Sequence, residues 1–307
     1  MKIKHRLEYV LLRSVIFVIN LLPVPVILFL CSALGYIAWV IYPFRLPVAY
    51  KNLSNVFPDM THEEKLQLLR KVYLQFTRTF GVVFILHRPK LAALIENAVI
   101  TGREEIEKAL LEGRGIILTT IHASWFEAYF AWFNKSGLPT TLIYQRQSNL
   151  LSDAYFIRQR NRYGTSLQHL CSGEGMKACE DALSDNRLLI VSLDQSYRNK
   201  GTEVLFFNKP LRCAKGTAIL RLRTGAPVFT SVYYMEEGKL HIDFEPVDLP
   251  EYKETNEHSI QDISTKCIQL YEPFISTFPE QWFSLFHRLW SKKGYQPVKR
   301  SLRQIFL

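Results

Sequence analysis

The feature of this sequence that most restricts its fold is an uncharged apolar stretch near the N-terminus, where residues 14–44 carry no charge. About 20 apolar residues suffice to cross the hydrocarbon core of a bilayer. Because Pro23 and Pro25 interrupt the stretch, the sequence predicts a membrane helix over Val26–Tyr42 and an oblique or interfacial helix before it. The apolar run is longer than that of a removable signal peptide, which favours a retained anchor at residues 1–50.

The charges beside this stretch leave its orientation open. Basic residues flank it on both sides: Lys2, Lys4, Arg6 and Arg13 before it, Arg45 and Lys51 after it. Positive-inside counting mildly favours a cytoplasmic N-terminus, which would place the rest of the chain outside unless the prolines make a hairpin or a half-inserted helix. Trp39 and Tyr42 are expected near a membrane–water interface, where aromatic side chains are enriched.

Composition limits the class of protein and its partners. With 48% hydrophobic and 21% charged residues the chain is a folded globular protein, and a formal net charge of +10 favours an acidic partner such as anionic lipid or an acidic carrier protein. Five scattered cysteines without a C-x-x-C pair predict neither a zinc site nor a disulfide framework. Because the basic residues are spread out and no nucleic-acid-binding module is recognised, no nucleic-acid partner is expected.

Beyond the anchor, helix and strand patterns alternate. Thr61 to Glu64 has the spacing of a capping box and predicts a helix over Lys65–Phe80. Further helices are predicted at Glu104–Glu112, Trp125–Phe133, Asn149–Arg162, Met176–Leu183, Gly216–Thr224 and Ser259–Ser276. Strands are predicted at Ile116–Ile121, Thr140–Tyr144, Ser166–Leu170, Leu188–Leu193, Val228–Tyr234 and His241–Phe244. This alternation predicts an α/β fold with a mostly parallel central sheet flanked by helices, an antiparallel pair around Glu237-Gly238, and one catalytic domain over residues 51–307.

The most informative chemical pattern follows the first of these long strands. His122 stands at the exit of the strand and Glu127 lies in the first turns of the next helix, so the two could form a general base and its orienting carboxylate. The alternative is a helix start capped by Ser124 with an incidental acid. His169 and Glu174 repeat the spacing, but the residues around Glu174 are typical of a turn and a helix cap, so that pair is interpreted as structural.

Several motifs of other enzyme classes do not occur in the sequence. It contains no G-x-S-x-G nucleophile elbow, no G-x-x-x-x-G-K-[ST] phosphate-binding loop and no H-E-x-x-H zinc motif. Without an evident nucleophile, direct transfer to a substrate hydroxyl with a general base is simpler than a covalent intermediate.

Several short blocks occur in a characteristic order and spacing from the anchor to about Lys292. The blocks are Asn52-Leu53 with Phe57-Pro58, Gly115 to Glu127, Arg146 with Asn149 and Arg158 to Arg162, Leu193 to Gln195 with Gly201, Val204 to Phe207, Lys215 to Ala218 with Leu220-Arg221, Gly225 to Pro227, and Pro279 to Trp282 with His287-Arg288 and Trp290. In this order and spacing the chain resembles the lipid A biosynthesis acyltransferases of the lauroyl and myristoyl transferase type, a branch of the lysophospholipid acyltransferase superfamily.

The resemblance implies a glycerol-3-phosphate acyltransferase-like fold and assigns roles to matching residues. It implies that His122 removes the proton of the acceptor hydroxyl and that Glu127 orients it, which favours this pair over His169 and Glu174. Arg160 matches a basic position thought to contact phosphate or transition-state charge, with Arg162 as a second candidate. Asp194 matches an acidic position that structures the site or binds the acceptor. The arginines could instead form a solvated helix face, and Asp194 could merely cap its strand.

The resemblance also implies an activity. It suggests a membrane-bound O-acyltransferase at the cytoplasmic side of the bacterial inner membrane, with acyl carrier protein or acyl-CoA as donor, a lipid A precursor as acceptor, and no cofactor or metal. The family's usual second acid in the third block is missing, because this chain reads Asp194-Gln195-Ser196. The acceptor could therefore be another bacterial glycolipid or an amino-acid lipid, and a non-catalytic, membrane-tethered lipid-binding protein is the alternative from a different class.

Overall fold

A computed structural model describes residues 3–197, 200–252, 254–290 and 296–306. Lys2 and Lys292, used above for the charge count and the extent of the resemblance, lie outside the described residues. The α-helices are α1 Ile3–Asn20, α2 Val24–Ile41, α3 Leu46–Val56, α4 His62–Ile85, α5 Pro89–Glu96, α6 Arg103–Leu110, α7 Phe126–Ser136, α8 Leu150–Arg160, α9 Gly175–Ser184, α10 Gly216–Thr224, α11 Glu257–Gln269, α12 Glu272–Thr277 and α13 Leu302–Phe306. The strands are β1 Val99–Thr101, β2 Ile116–Thr120, β3 Thr140–Tyr144, β4 Leu167–Cys171, β5 Leu188–Ser192, β6 Thr202–Phe206, β7 Lys209–Cys213, β8 Val228–Glu236 and β9 Lys239–Pro246.

Seven of these strands form one sheet in the order β1-β9-β8-β2-β5-β3-β4. Neighbours run parallel except β8 and β9, which pair antiparallel across the turn at Glu237-Gly238. Strands β6 and β7 form a separate two-stranded hairpin. The predicted α/β fold with a mostly parallel central sheet is therefore confirmed.

Strand β2 lies at the centre of the sheet and all five of its residues are buried. Its sequence, Ile116 to Thr120, is almost continuously apolar because helices cover both faces, as parallel sheets require. The hydroxyl groups of Thr119 and Thr120 donate hydrogen bonds to the carbonyls of Phe229 and Ser231 on β8, so these buried polar groups are satisfied. The strand that precedes His122 is thus held rigidly in the core.

The N-terminal helices pack onto the α/β domain. Among the described residues, α2 is the one helix that is long and apolar enough to cross a membrane. It lies along α4 at close range, because a side chain at Gly35 would meet Thr77 and a side chain at Gly81 would meet Cys31. Glycine at both positions lets the two helix backbones approach, as in membrane helix pairs. Helix α2 is therefore joined to the domain along its length.

Trp39 departs from the prediction that it lies at a membrane interface. Its side chain is fully buried, because the C-terminal residues fold back over α2. The Arg300 guanidinium lies 4.8 Å from the ring centroid, and the indole Nε1 donates a 3.1 Å hydrogen bond to the carbonyl of Ile305. Tyr42, three residues further on, is exposed.

Candidate active site

The carboxyl edge of the sheet brings two distant residues together. In the parallel pair β2–β5, Thr120 lies opposite Ser192. Two residues further along each strand stand His122 and Asp194, and their side chains meet: His122 Nδ1 lies 2.7 Å from Asp194 Oδ1. Residues that follow adjacent parallel strands emerge at the same edge, where ligands bind in open α/β sheets. The strand register thus builds an imidazole–carboxylate pair.

Asp194 is fully buried and uses both carboxylate oxygens. Besides the imidazole on Oδ1, its Oδ2 accepts a 3.0 Å bond from the backbone N–H of His122 and a 2.9 Å bond from the indole Nε1 of Trp282. The accepted Nδ1–H fixes the tautomer of the neutral imidazole and leaves Nε2 with its lone pair. The ring remains 43% exposed, so Nε2 is the nitrogen available to a substrate.

A second segment clamps the turn that carries the histidine. The backbone N–H of Phe283 donates to the carbonyl of His122 at 2.8 Å, and that of Ser124 donates to the carbonyl of Gln281, also at 2.8 Å. The next residue, Trp125, takes a left-handed conformation with φ of 65°, which non-glycine residues rarely adopt. Such local strain persists only where surrounding contacts enforce it, and it is typical of functional turns.

His122 and Asp194 each shift the pKa of the other. Burial alone would lower the pKa of His122, but the charge and hydrogen bond of Asp194 outweigh it, so the pKa lies above the ordinary value. Burial alone would raise the pKa of Asp194, whereas the charge and hydrogen bonds of His122 hold it below its usual range. Asp194 is therefore a fixed anion that favours the imidazolium formed when His122 accepts a proton.

The predicted pairing of His122 with Glu127 is wrong. Glu127, in the first turn of α7, instead forms a bidentate ion pair with Arg160 at the end of α8, with N–O distances of 2.7 and 2.6 Å. Both side chains are largely buried, at 7% and 12% exposure. The α7 helix turns Glu127 away from the strand edge toward α8, and the carboxylate that reaches the imidazole comes from the neighbouring strand.

The remaining predicted residues take separate positions. Arg160 lines the same cavity as His122, whereas Arg162 lies on the far side of α8 in a second cavity. Glu174 immediately precedes α9, and its Oε1 accepts a 2.8 Å bond from the backbone N–H of Cys171, which supports the structural interpretation of that turn. Burial, together with the nearby Arg160, lowers the pKa of His169 to about 4.

His122 opens into a cavity of about 560 Å³ that is rich in phenylalanine. This volume lies in the range of small-molecule sites. The phenylalanines come from α4, α7, α8 and the segments next to them: Phe44, Phe76, Phe80, Phe84, Phe126, Phe130, Phe156, Phe283 and Phe286. A wall of this kind binds an apolar chain by removing it from water, at roughly 25 cal/mol per Å² of buried apolar surface.

Sequence reasoning missed several residues of this site. His287 and Arg45 line the cavity, and the proximity of His122 adds to the effect of burial in lowering the pKa of His287. Trp282 lies in one of the recognised blocks, yet its bond to Asp194 could not be read from the block. One signal for the Asp194 contact was present: His122 and Asp194 each follow a predicted strand directly, and adjacent parallel strands end at one edge.

Residues 2–292 match the family model described as bacterial lipid A biosynthesis acyltransferase. A lipid A biosynthesis acyltransferase of Haemophilus influenzae is 24% identical over 80% of this chain and 76% of that protein. A phosphatidylinositol mannoside acyltransferase of Mycolicibacterium smegmatis is 22% identical over 76% of each chain. A lipid A biosynthesis palmitoleoyltransferase of Escherichia coli is 23% identical over 68% of each.

Proposed function

Because the chain belongs to the family of bacterial lipid A biosynthesis acyltransferases, we propose that it moves a fatty acyl chain from an acyl thioester to a hydroxyl group of a membrane lipid. The observation that carries the proposal is the position of the His122–Asp194 pair in the wall of the phenylalanine-rich cavity. The pair supplies a base for the hydroxyl, and the cavity supplies an apolar place for the acyl chain.

The reaction proceeds by general-base catalysis at Nε2 of His122. The acceptor oxygen attacks the thioester carbonyl carbon while its proton passes to Nε2. The tetrahedral intermediate then expels the thiolate, which takes the proton from the imidazolium, so the products are an ester and a free thiol. Asp194 does not touch the substrate in this scheme; it is a positioning residue that holds the tautomer and stabilises the imidazolium. General-base assistance of this kind contributes roughly 10²–10⁴-fold.

Arg160 is assigned to the polar part of the acceptor. Its Nε and Nη2 bind Glu127, which leaves Nη1 outside the bidentate pair, and its guanidinium stacks 5.3 Å from the centroid of Phe130. Glu127 thus fixes the arginine in the wall of the cavity. A cation held in this way can donate to a hydroxyl or phosphate of the acceptor without first losing side-chain entropy.

The donor and acceptor are proposed from charge and from the relatives. A net charge of +10 suits an acidic acyl carrier protein, because it speeds encounter with an acidic partner. Acyl-CoA, which is also anionic, is the alternative donor. A lipid A precursor is the leading acceptor. Another glycolipid is the second candidate, since one relative is named for the acylation of phosphatidylinositol mannoside.

The apolar helix α2 suggests where the reaction takes place. We place the enzyme at the bacterial inner membrane, with α2 in the bilayer and the catalytic body on the cytoplasmic side, where thioester donors are made. Many of the exposed side chains of α1 and α2 are apolar, among them Leu11, Phe17, Phe29 and Leu34. Protease accessibility in sealed vesicles tests the sidedness.

His122→Ala tests the proposed chemistry. The purified, detergent-solubilised protein should lose about 10²–10⁴-fold of its thioester-dependent lipid acylation, while His258→Ala, an exposed histidine on α11, should keep wild-type activity. Thioester consumption and the acylated lipid are followed together by mass spectrometry, with and without a chelator. Full activity in His122→Ala removes this residue from the chemistry. A wild-type protein that consumes no thioester with any lipid acceptor would instead be a lipid-binding protein.

A further inference from the structure

A second cavity of about 670 Å³ lies between α1 and α8, on the side of α8 that faces away from His122. Its charged lining residues are all basic: Arg13 comes from α1, Arg158 from α8, and Arg162 from the turn after α8. None of the lining residues is an aspartate or a glutamate. Residues about 150 positions apart in the chain thus place three guanidinium groups around one space.

These arginines have no carboxylate partner among the described residues, unlike Arg160 in the first cavity. Two of them contact tyrosines instead, Arg13 through a ring and a hydroxyl group and Arg158 through a hydroxyl group alone. The Arg13 guanidinium lies 5.2 Å from the ring centroid of Tyr155, and both Arg13 and Arg158 donate to the hydroxyl of Tyr9, at 3.3 and 3.5 Å. Cation–π contacts position a guanidinium without neutralising its charge. All three arginines are also exposed to solvent, so the cavity is open and its positive charge is accessible to a ligand.

Two buried polar atoms in the same lining have no hydrogen-bond partner among the described residues: Oδ1 of Asn20 and Nδ1 of His87. Unsatisfied buried polar groups are rare in folded proteins, and one explanation is a ligand that satisfies them. Nδ1 of His87 can donate to a phosphate oxygen in one tautomer, whereas Oδ1 of Asn20, whose amide nitrogen donates to the carbonyls of Ile16 and Phe84, needs a ligand hydroxyl group as its donor. Burial lowers the pKa of His87, and the nearby charges of Arg162 and Arg88 lower it further.

The rest of the lining indicates the class of ligand. Ile16 and Phe17 of α1 give the cavity an apolar side, and Phe17 is also exposed on the outer surface of the helix beside other apolar residues. Guanidinium groups bind phosphate oxygens with charge-assisted, often bidentate hydrogen bonds. A cationic cavity with one apolar wall fits a phosphate attached to a hydrocarbon tail better than a free phosphate ion.

We propose that Arg13, Arg158 and Arg162 bind the phosphate group of an anionic membrane lipid in the cavity between α1 and α8. This site rests on the proposed membrane location and not on acyl transfer, because it is separate from the cavity that contains His122.

Binding of short-chain, water-soluble probes to the full-length detergent-solubilised protein tests the proposal by calorimetry, without an acyl donor. The probes are dihexanoyl phosphatidate, dihexanoylglycerol and inorganic phosphate. The variant Arg13→Gln/Arg158→Gln removes two cavity arginines. Its control, Lys4→Gln/Arg6→Gln, removes two exposed charges from α1 outside the cavity. Circular dichroism checks folding, and the single variant Arg158→Gln serves if the double variant fails to fold.

The phosphatidate should bind to the wild type and to the control with equal affinity, and roughly tenfold or more weakly to the arginine variant, since charge-assisted hydrogen bonds are lost. Dihexanoylglycerol should bind at least about tenfold more weakly than the phosphatidate. Equal phosphatidate binding to all three proteins overturns the site, as does a diacylglycerol that binds equally well. If inorganic phosphate binds as tightly as the phosphatidate, the hydrocarbon tail contributes nothing and the ligand is not a lipid. None of these outcomes bears on acyl transfer, which His122→Ala tests separately.

Discussion

Two pairs, each made of one basic and one acidic side chain, lie at the same cavity. They differ in how far water and substrate can reach them. In the His122–Asp194 pair the acid is fully buried and the base is 43% exposed. In the Arg160–Glu127 pair both partners are buried, at 12% and 7% exposure. The first pair therefore offers a titratable imidazole to a substrate, whereas the second is a closed ion pair that leaves only Nη1 of Arg160 for a ligand.

The difference arises from the elements that carry the pairs. His122 and Asp194 follow adjacent parallel strands, whose register fixes their distance at the open edge of the sheet. Glu127 and Arg160 lie on two packed helices and meet side by side between them. A pair at a strand edge can face a ligand, while a pair between helices mainly fixes the position of one helix against the other.

The largest expected effect is on the rate. Asp194→Asn should lower acyl transfer by about 10³–10⁴-fold, because an amide can donate to Nδ1, favour the wrong imidazole tautomer and no longer stabilise the imidazolium. Turnover of the purified protein measures this loss. Circular dichroism should show an intact fold, since the asparagine oxygen still accepts from Trp282. An Asp194→Asn protein that keeps wild-type turnover would show that the buried acid has no part in the chemistry.

Substitution in the closed Arg160–Glu127 pair should lower the free energy of unfolding. Glu127→Gln leaves the Arg160 guanidinium buried without a counter-charge, which typically costs about 3–5 kcal/mol of unfolding free energy. Glu127→Gln/Arg160→Met should regain most of this stability, because an apolar replacement of both partners is often neutral. Chemical denaturation of the detergent-solubilised variants gives both values. Equal stability of the single variant and the wild type would contradict a buried ion pair.

The smallest expected effect is a shift in the pH dependence of the rate, which should occur on substitution in the His122–Asp194 pair but not in the Arg160–Glu127 pair. Transfer needs a neutral His122, so the rate should fall as the pH drops through the pKa of His122, which Asp194 raises above its ordinary value. Removing the Asp194 charge lowers that pKa, so the acid limb of kcat/KM should move to lower pH in Asp194→Asn. In Glu127→Gln the limb should stay in place, since only Asp194 raises the His122 pKa. An acid limb that shifts in Glu127→Gln but not in Asp194→Asn would contradict the assignment of Asp194 as the partner of His122.

The sequence predicts the strands of the site better than its contacts. Apolar runs before His122 and Asp194 predicted β2 and β5 correctly, because burial on both faces leaves a continuous apolar pattern. The partner of His122 was chosen by spacing along the chain, which favoured Glu127. The true partner depends on which strands are neighbours in the sheet, and that order arises from packing of the whole domain.

Two other elements show where local patterns fall short. A single helix predicted over Ser259–Ser276 divides into α11 and α12, because Pro273 lacks the backbone N–H that a continuous helix needs. The hairpin of β6 and β7 was not predicted. Its turn residues, Phe207 and Asn208, both have positive φ, at 50° and 55°, and no glycine marks the turn in the sequence.

Helix α4 has a further consequence for any lipid that reaches the cavity. Tyr73, Thr77 and Gly81 face α2, while Phe76, Phe80 and Phe84, each three residues along, line the cavity. One helix therefore borders both the proposed bilayer segment and the catalytic space. The distance between the two environments is thus the width of one helix, and each methylene of a hydrocarbon tail that crossed it through water would cost about 0.8 kcal/mol.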